Sequence, residues 1–219
     1  ETSRGLSCGL AASMANNEFS DRCTPSVQNA GHLFEMSTRD LVLLAESESN
    51  TEVSIGLAAI NALVPIDASA GVELNAEIYL QEKAAGKNVA MVGHFPFVDR
   101  LKPQLKNLWV LELNPAPGDL PAEKASEYIP QADVVAITAT TLINHTLEGL
   151  LALCRPDSKV MLLGPSTPLS PVLFDHGVNL LCGTIVTDPQ AAMLGISQGA
   201  SSHQLHHAGA TRQITLEKA

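Results

Sequence analysis

Five short apolar segments follow one another at regular intervals from residue 89 onward. They are 89–93, 108–113, 133–138, 159–164 and 179–183, and their starts lie roughly 19 to 26 residues apart, a spacing typical of successive strand–helix units. The segments are continuously apolar rather than alternating, so we expect both faces of each strand to be covered. The pattern predicts an α/β fold, with a Rossmann-like parallel sheet domain over residues 86–219.

Helices are predicted between these strands from their capping residues. Thr140 or Thr141 is expected to cap a helix over residues 142–154, and Asp188 a helix over residues 189–198. Both helices begin just after a strand or a short loop. Their N-termini are therefore expected at the carboxyl edge of the sheet, where open α/β folds bind ligands.

Residues 1–85 differ in texture, being rich in Ala, Ser, Asn and Gly and lacking the regular strand spacing. Capping signals predict helices here, and a glycine-interrupted apolar start predicts a buried strand. The predicted elements are a strand over 5–14 and helices over 41–47, 52–63 and 77–85. We therefore expect a smaller N-terminal domain over residues 1–85.

The loop after the first strand, Gly93-His-Phe-Pro-Phe97, stands where a dinucleotide-binding fold carries its glycine-rich turn. Two aromatic rings and a proline would obstruct the close approach of pyrophosphate to the backbone, so ordinary NAD binding is disfavoured. His94 is a candidate metal ligand and a candidate general acid or base. The alternative is a histidine that only caps backbone groups in a tight turn.

Glu112 lies near the end of the second strand, 19 positions after Gly93. This is close to the offset at which an acidic residue binds ribose hydroxyls in Rossmann-like sites, although a structural salt bridge is the alternative. The loop that follows, from Asn114 to Pro121, is stiffened by three prolines. Such stiffness lowers the entropic cost of binding, and any ordered surface loop has the same advantage.

Two further strand-end loops are rich in hydroxyl groups. The loop after the third strand gathers side chains at a predicted helix start, where free N–H groups favour an anion, although helix capping alone explains at least one threonine. The loop after the fourth strand offers a comparable arrangement. The candidates are Thr138, Thr140, Thr141, Asn144, Ser166 and Thr167.

Charge and composition narrow the function classes. The chain has 13 Lys and Arg against 23 Asp and Glu, a formal net charge of −10, so the phosphate neutralisation that nucleic-acid binding needs has no general source. The four cysteines are far apart, which suits a reducing compartment. No apolar run approaches the roughly 18 to 20 residues of a membrane span. We expect a cytoplasmic protein without nucleic-acid or membrane partners.

The C-terminal segment 201–219 carries His203, His206 and His207 among Ser, Gly and Thr and is expected to be partly mobile. Their i, i+3, i+4 spacing would place the imidazoles on one face of a helix, where they could bind a soft divalent metal. No helical pattern surrounds them in the sequence. Cys154 and Cys182 are expected to be core thiols.

Five ordered motifs lie between residues 56 and 171, namely Gly56-Leu-Ala-Ala-Ile-Asn-Ala62, Gly93-His-Phe-Pro-Phe97, Leu111-Glu-Leu-Asn-Pro115 with Pro117-Gly-Asp-Leu-Pro121, Ile137-Thr-Ala-Thr-Thr-Leu-Ile-Asn-His-Thr-Leu147 and Gly164-Pro-Ser-Thr-Pro-Leu-Ser-Pro171. With these motifs the chain resembles the putative heavy-metal chelation family, a domain of unknown function, and the resemblance covers the chain from about residue 5 to residue 199.

The resemblance implies an enolase N-terminal-like α+β domain joined to the Rossmann-like domain, with the site in the cleft between them. It adds Phe95 and Asn114 to the candidate ligand-binding residues. Ala139 departs from the glycine common in similar proteins. The chain begins at Glu1, and the resemblance implies a preceding segment, so we expect a truncated small domain.

Three function classes fit these residues. The first is a protein that handles a metal or a metal chelate through His94 and Glu112, since imidazole and carboxylate suit borderline divalent transition metals. The second is an enzyme for a small anionic or nucleotide-like metabolite, with His94 as acid or base. The third is a non-catalytic interaction module. The sequence does not name the metal or substrate, and it leaves room for a homo-oligomer.

Overall fold

A computed structural model describes residues 7–14, 27–66 and 76–218 of the chain. Within them, seven strands form one sheet in the order β3-β2-β1-β4-β5-β6-β7, and only β7 is antiparallel to its neighbour. The strands are β1 Asn88–Val92, β2 Asn107–Glu112, β3 Leu120–Pro121, β4 Val134–Thr138, β5 Lys159–Leu163, β6 Leu180–Val186 and β7 Thr211–Glu217. The predicted α/β fold with a Rossmann-like sheet is confirmed.

The sheet has its topological switch point between β1 and β4. From β1 the chain proceeds to β2 and β3 on one side, and then crosses to β4, β5 and β6 on the other. Loops that leave adjacent strands toward opposite sides open a crevice at the carboxyl edge, which is where such sheets bind ligands. The loops that contain His94 and Thr138 flank this crevice.

Helices cover both faces of the sheet, as the continuously apolar strands predict. Tyr79, Leu80 and Leu101 pack on one face, and Ile129 and Leu147 pack on the other. The α-helices are α1 Thr38–Leu43, α2 Asn50–Leu63, α3 Ala76–Lys83, α4 Val98–Leu101, α5 Ala125–Tyr128, α6 Thr140–Ile143, α7 Leu147–Leu151, α8 Val172–Asp175, α9 Pro189–Ser197 and α10 Ser202–His207. No helix of the described ranges is long and apolar enough to cross a membrane.

The helix predicted over residues 142–154 is wrong in two respects. It is divided into α6 and α7 because His145 has a φ of 56°, and because the side-chain oxygen of Asn144 accepts hydrogen bonds from the amide and the hydroxyl of Thr146. The residue at the N-cap of α6 is Ala139, not a threonine. The apolar pattern continues through the break, so periodicity alone could not locate it.

The described part of the C-terminal segment forms a helix and a strand that the sequence did not predict. Ser201 and Gln204 form a capping box that starts α10, and β7 pairs with β6 along its whole length. Asp188 caps α9 as predicted, with its side chain accepting from the amide of Ala191. An edge strand buries only part of its side chains, so its sequence lacks the continuous apolar run that marks the central strands.

The strand predicted over residues 5–14 is not found in residues 7–14, which have no regular secondary structure. Residues 5 and 6 lie outside the described part of the chain. The segment runs along α2, and an added Cβ at Gly9 would lie 2.2 Å from the carbonyl oxygen of Ala58. Asn61 on α2 donates to the carbonyl oxygen of Leu10 at 2.8 Å. Val53 and Leu57 of α2 pack against Ile143 of α6, so the N-terminal helices border the crevice. The predicted domain boundary near residue 85 and the enolase-like architecture stay predictions.

Candidate functional site

A cavity of about 430 Å³ lies at the carboxyl ends of β1, β2 and β4. The N-terminal segment contributes Met14 to its wall, and apolar side chains such as Leu111 and Leu150 form its sides. Eight of the candidate residues line it, namely His94, Phe95, Glu112, Asn114, Thr138, Thr140, Thr141 and Asn144. The structure therefore brings together three of the four predicted loops.

The imidazole of His94 is paired with a buried carboxylate. Its Nδ1 lies 2.9 Å from Oδ2 and 3.0 Å from Oδ1 of Asp119. The Asp119 side chain is only 4% exposed, whereas that of His94 is 41% exposed, and Oδ2 also accepts from the amide of Ala116. Nδ1 must donate to this carboxylate, so the neutral ring keeps its lone pair on Nε2.

Glu112 holds the backbone of the His94 loop. Its Oε1 accepts from the amide of His94 at 2.6 Å, and its Oε2 accepts from the amide of Leu113 at 3.2 Å. The turn also needs a glycine before His94, because Gly93 has a φ of 100° and an added Cβ would lie 3.1 Å from the Thr138 side chain. Glu112 thus orients the loop, and Asp119 orients the ring.

The threonines of the third loop bond mainly to one another. The hydroxyls of Thr138 and Thr140 are 3.0 Å apart, and the hydroxyl of the buried Thr141 donates to the carbonyl oxygen of Thr138 at 2.6 Å. The helix α6 is one turn long, so its dipole is small. The polar groups that this wall offers to a ligand are therefore two hydroxyls and the Asn144 side-chain amide. The short helix does not make it a helix-terminus anion site.

Ser166 and Thr167 lie outside the residues that line this cavity. The Ser166 hydroxyl accepts from the amide of Ala12 at 2.7 Å, and its carbonyl oxygen accepts from Asn61. Thr167 is 2% exposed, and its hydroxyl has no hydrogen-bond partner among the described residues. The fourth loop fastens the N-terminal segment to the sheet.

Asp119 is the residue that sequence reasoning missed. It is the only acidic residue of the proline-stiffened loop from Asn114 to Pro121, directly before β3. A lone carboxylate in a stiff loop that follows a predicted strand was the available signal. Met14 was also missed, since nothing in the sequence places residue 14 in the wall of this cavity.

The donor set does not fit a metal ion held by protein ligands alone. The described residues contain no group of three or more His, Cys, Asp or Glu side chains arranged around a metal position. Both carboxylate oxygens of Glu112 already accept backbone hydrogen bonds. Burial raises the pKa of the Cys154 and Cys182 thiols to about 11, so both are protonated near neutral pH and are poor metal ligands.

The strand order, the cavity at the switch point and the helices on both faces of the sheet define an α/β protein with a Rossmann-like, largely parallel sheet. Residues 76–215 match a family model described as "Putative heavy-metal chelation", and residues 1–64 match a second model of the same description. The chain therefore belongs to the putative heavy-metal chelation family.

Relatives of the chain come from bacteria and archaea. An uncharacterized protein of Methanocaldococcus jannaschii is 31% identical over 186 residues, which are 81% of this chain and 71% of that protein. A crystal structure of a DUF364-family protein of unknown function from Desulfitobacterium hafniense has a TM-score of 0.79 and 32% identity, with 98% of this chain and 86% of that chain covered.

A second crystal structure from the same family, of a Pyrococcus horikoshii protein of unknown function, also has a TM-score of 0.79. Its sequence identity is 22%, and the match covers 95% of this chain and 83% of that chain. This likeness shows the shared fold.

Proposed function

We propose that the chain binds a small metal chelate in the cavity at the switch point, and that Nε2 of His94 is the protein's donor to the metal. The observation that carries the proposal is the contact between His94 Nδ1 and Asp119 at 2.9 Å. A carboxylate behind a ligating histidine fixes its tautomer and makes it a better donor, and such pairs recur at metal sites.

The charge of the cavity supports a ligand that carries a cation. Glu112 contributes a carboxylate to the wall, Asp119 lies directly behind His94, and none of the described lining residues is a lysine or an arginine. A metal-free anion would meet this charge without a compensating cation, whereas a metal complex brings its own. Charge therefore favours the chelate over the bare anion.

The donor count supports a chelate over a free ion. His94 supplies one imidazole nitrogen, and Met14 brings a thioether to the wall, a pair that suits borderline and soft metals. The remaining ligands would come from an organic chelator. A cavity of about 430 Å³ is in the size range of small-molecule sites.

The test compares a neutral metal chelate with the chelator alone. His203, His206 and His207 are first changed to alanine, so that surface imidazoles do not compete, and the protein is titrated calorimetrically with nickel iminodiacetate or with iminodiacetate. We expect binding of the nickel complex only, weakened about 10- to 100-fold by His94→Gln. Equal binding of metal-free iminodiacetate, or an unchanged affinity in His94→Gln, would contradict the proposal.

A second candidate function is general acid–base catalysis on a small metabolite. The observation that favours it is the same pair, because a histidine oriented by a carboxylate and open at Nε2 is a suitable proton-transfer group. In that case His94→Gln would abolish turnover and leave ligand affinity nearly intact. The two functions thus differ in whether His94→Gln mainly lowers affinity or mainly lowers rate.

A further inference from the structure

Two histidines of α10 face each other far from the His94 pair in sequence. Nε2 of His203 and Nε2 of His207 are 3.1 Å apart, and the two rings meet edge to face with centroids 4.3 Å apart. Both side chains belong to exposed residues. The i, i+4 spacing on a helix places them on the same face, one turn apart.

The helix that carries them is anchored at both ends. The capping box of Ser201 and Gln204 starts it, and Gly209, with a φ of 73°, follows its last turn. Between them Leu205 is buried against Ala192 and Ala210. The two imidazoles are therefore presented by a capped helix that packs on the domain through Leu205.

The third histidine of the segment is turned to a different partner. His206 Nδ1 lies 3.3 Å from the carbonyl oxygen of Thr211, and its ring centroid is 6.2 Å from that of His207. The convergent pair is thus His203 and His207, although all three histidines fit the sequence pattern.

The separation of the two nitrogens suits two ligands of one metal ion. With bonds of about 2.0 to 2.1 Å, nitrogens 3.1 Å apart subtend roughly 95 to 100° at the metal. An angle of this size lets both nitrogens occupy neighbouring (cis) positions of one square-planar or octahedral ion. Tetragonal nitrogen sites are typical of Cu²⁺ and Ni²⁺.

We propose that His203 and His207 form a two-imidazole site for a late divalent transition metal, Cu²⁺ or Ni²⁺, on the surface of α10. Both Nε2 atoms ligate the ion, and water fills the other coordination positions. The site is independent of the cavity at His94 and of the function proposed for it. Without a metal, the same two nitrogens form a hydrogen bond between the rings, and the metal replaces that hydrogen bond when it binds.

The test is a calorimetric titration of the untagged full chain with Ni²⁺ alone. Losing one of two linked donors removes the closure of the chelate ring, so His203→Ala and His207→Ala should each weaken this site at least about tenfold. His206→Ala is the matched control, being on the same helix and similarly exposed, and should leave the affinity unchanged. His94→Gln should also leave it unchanged, which separates this site from the cavity.

Cu²⁺ bound at one equivalent gives a second readout, since its electron paramagnetic resonance spectrum should show nitrogen ligation that is lost in the His203→Ala/His207→Ala variant. Thermal melting verifies that each variant is folded. Ni²⁺ binding that is the same in the wild type and the double variant would overturn the proposal. So would an equal loss in His206→Ala, or one metal per two chains.

Discussion

The loops after β1, β2 and β4 and the loop after β5 end at the same edge of the sheet, yet they have different roles. The first three surround an open cavity and hold His94 between two carboxylates, with Asp119 at Nδ1 of its ring and Glu112 at its backbone amide. The loop after β5 is buried, and its Ser166 bonds to the N-terminal segment. A polar residue at a strand end is therefore available to a ligand where it lines an open cavity, and has a structural role where another segment covers it.

Gly9→Ala should have the largest effect, because it disrupts the packing of the N-terminal segment that Ser166 binds. Its Cβ would lie 2.2 and 2.3 Å from backbone atoms of α2, which cannot yield as a side chain does, so we expect a loss of about 3 kcal/mol in the free energy of unfolding. Urea denaturation measures it. Gly149→Ala is the matched control because its Cβ meets nothing within 4 Å, and it should not destabilise; a neutral Gly9→Ala would show that the segment does not dock on α2.

Ser166→Ala should lower the free energy of unfolding by about 1 kcal/mol, because the partly buried amide of Ala12 loses its acceptor. Thr167→Val is the control with the opposite expectation, since the Thr167 hydroxyl is buried without a partner in the described part of the chain and its removal should be neutral or stabilising. Both are measured by denaturant titration. If Ser166→Ala left stability intact and abolished chelate binding, the loop after β5 would belong to the site.

Asp119→Asn should weaken binding of nickel iminodiacetate about tenfold, since replacing a carboxylate behind a ligating histidine typically costs 10- to 100-fold. The amide keeps an oxygen that can accept from Nδ1, so the lower end of this range is expected. Calorimetry on the variant without the α10 histidines measures it. An affinity equal to that of the parent protein would mean that Asp119 only shapes the loop.

The smallest effect is expected from Asp133, which directly precedes β4 at the opposite edge of the sheet and contributes to the pH dependence of stability. The backbone amide of Asn88, with help from Arg155, lowers the pKa of Asp133 below its ordinary value of 3.8. Because the pKa is lowered in the folded state, this stabilisation is present above about pH 4 and is lost as the pH falls through the folded pKa. Melting temperatures between pH 6 and pH 3 should fall less in Asp133→Asn than in the wild type. If the melting temperatures of the two proteins fell equally with pH, Asp133 would not contribute to the loss of stability in acid.

Several elements were predictable because their signals are local. Continuous apolar runs located the central strands, and Asp188 before Pro189 located the start of α9. The division between α6 and α7 was not predictable, since the apolar face continues past His145 and only its positive φ reveals the break. The edge strand β7 was missed because it lacks an uninterrupted apolar run.

The sequence by itself determined which residues end each strand, and therefore that polar groups gather at one edge of the sheet. Only the tertiary structure decided their partners. His94 and Asp119 are 25 residues apart, and Ala12 and Ser166 are 154 residues apart. Hydrophobic periodicity reports burial within a single element, whereas such pairings depend on how the crossovers and the N-terminal segment bring distant residues together. The same reason explains why Glu112, which the strand-end pattern pointed to, holds the backbone of His94, while the less conspicuous Asp119 holds its ring.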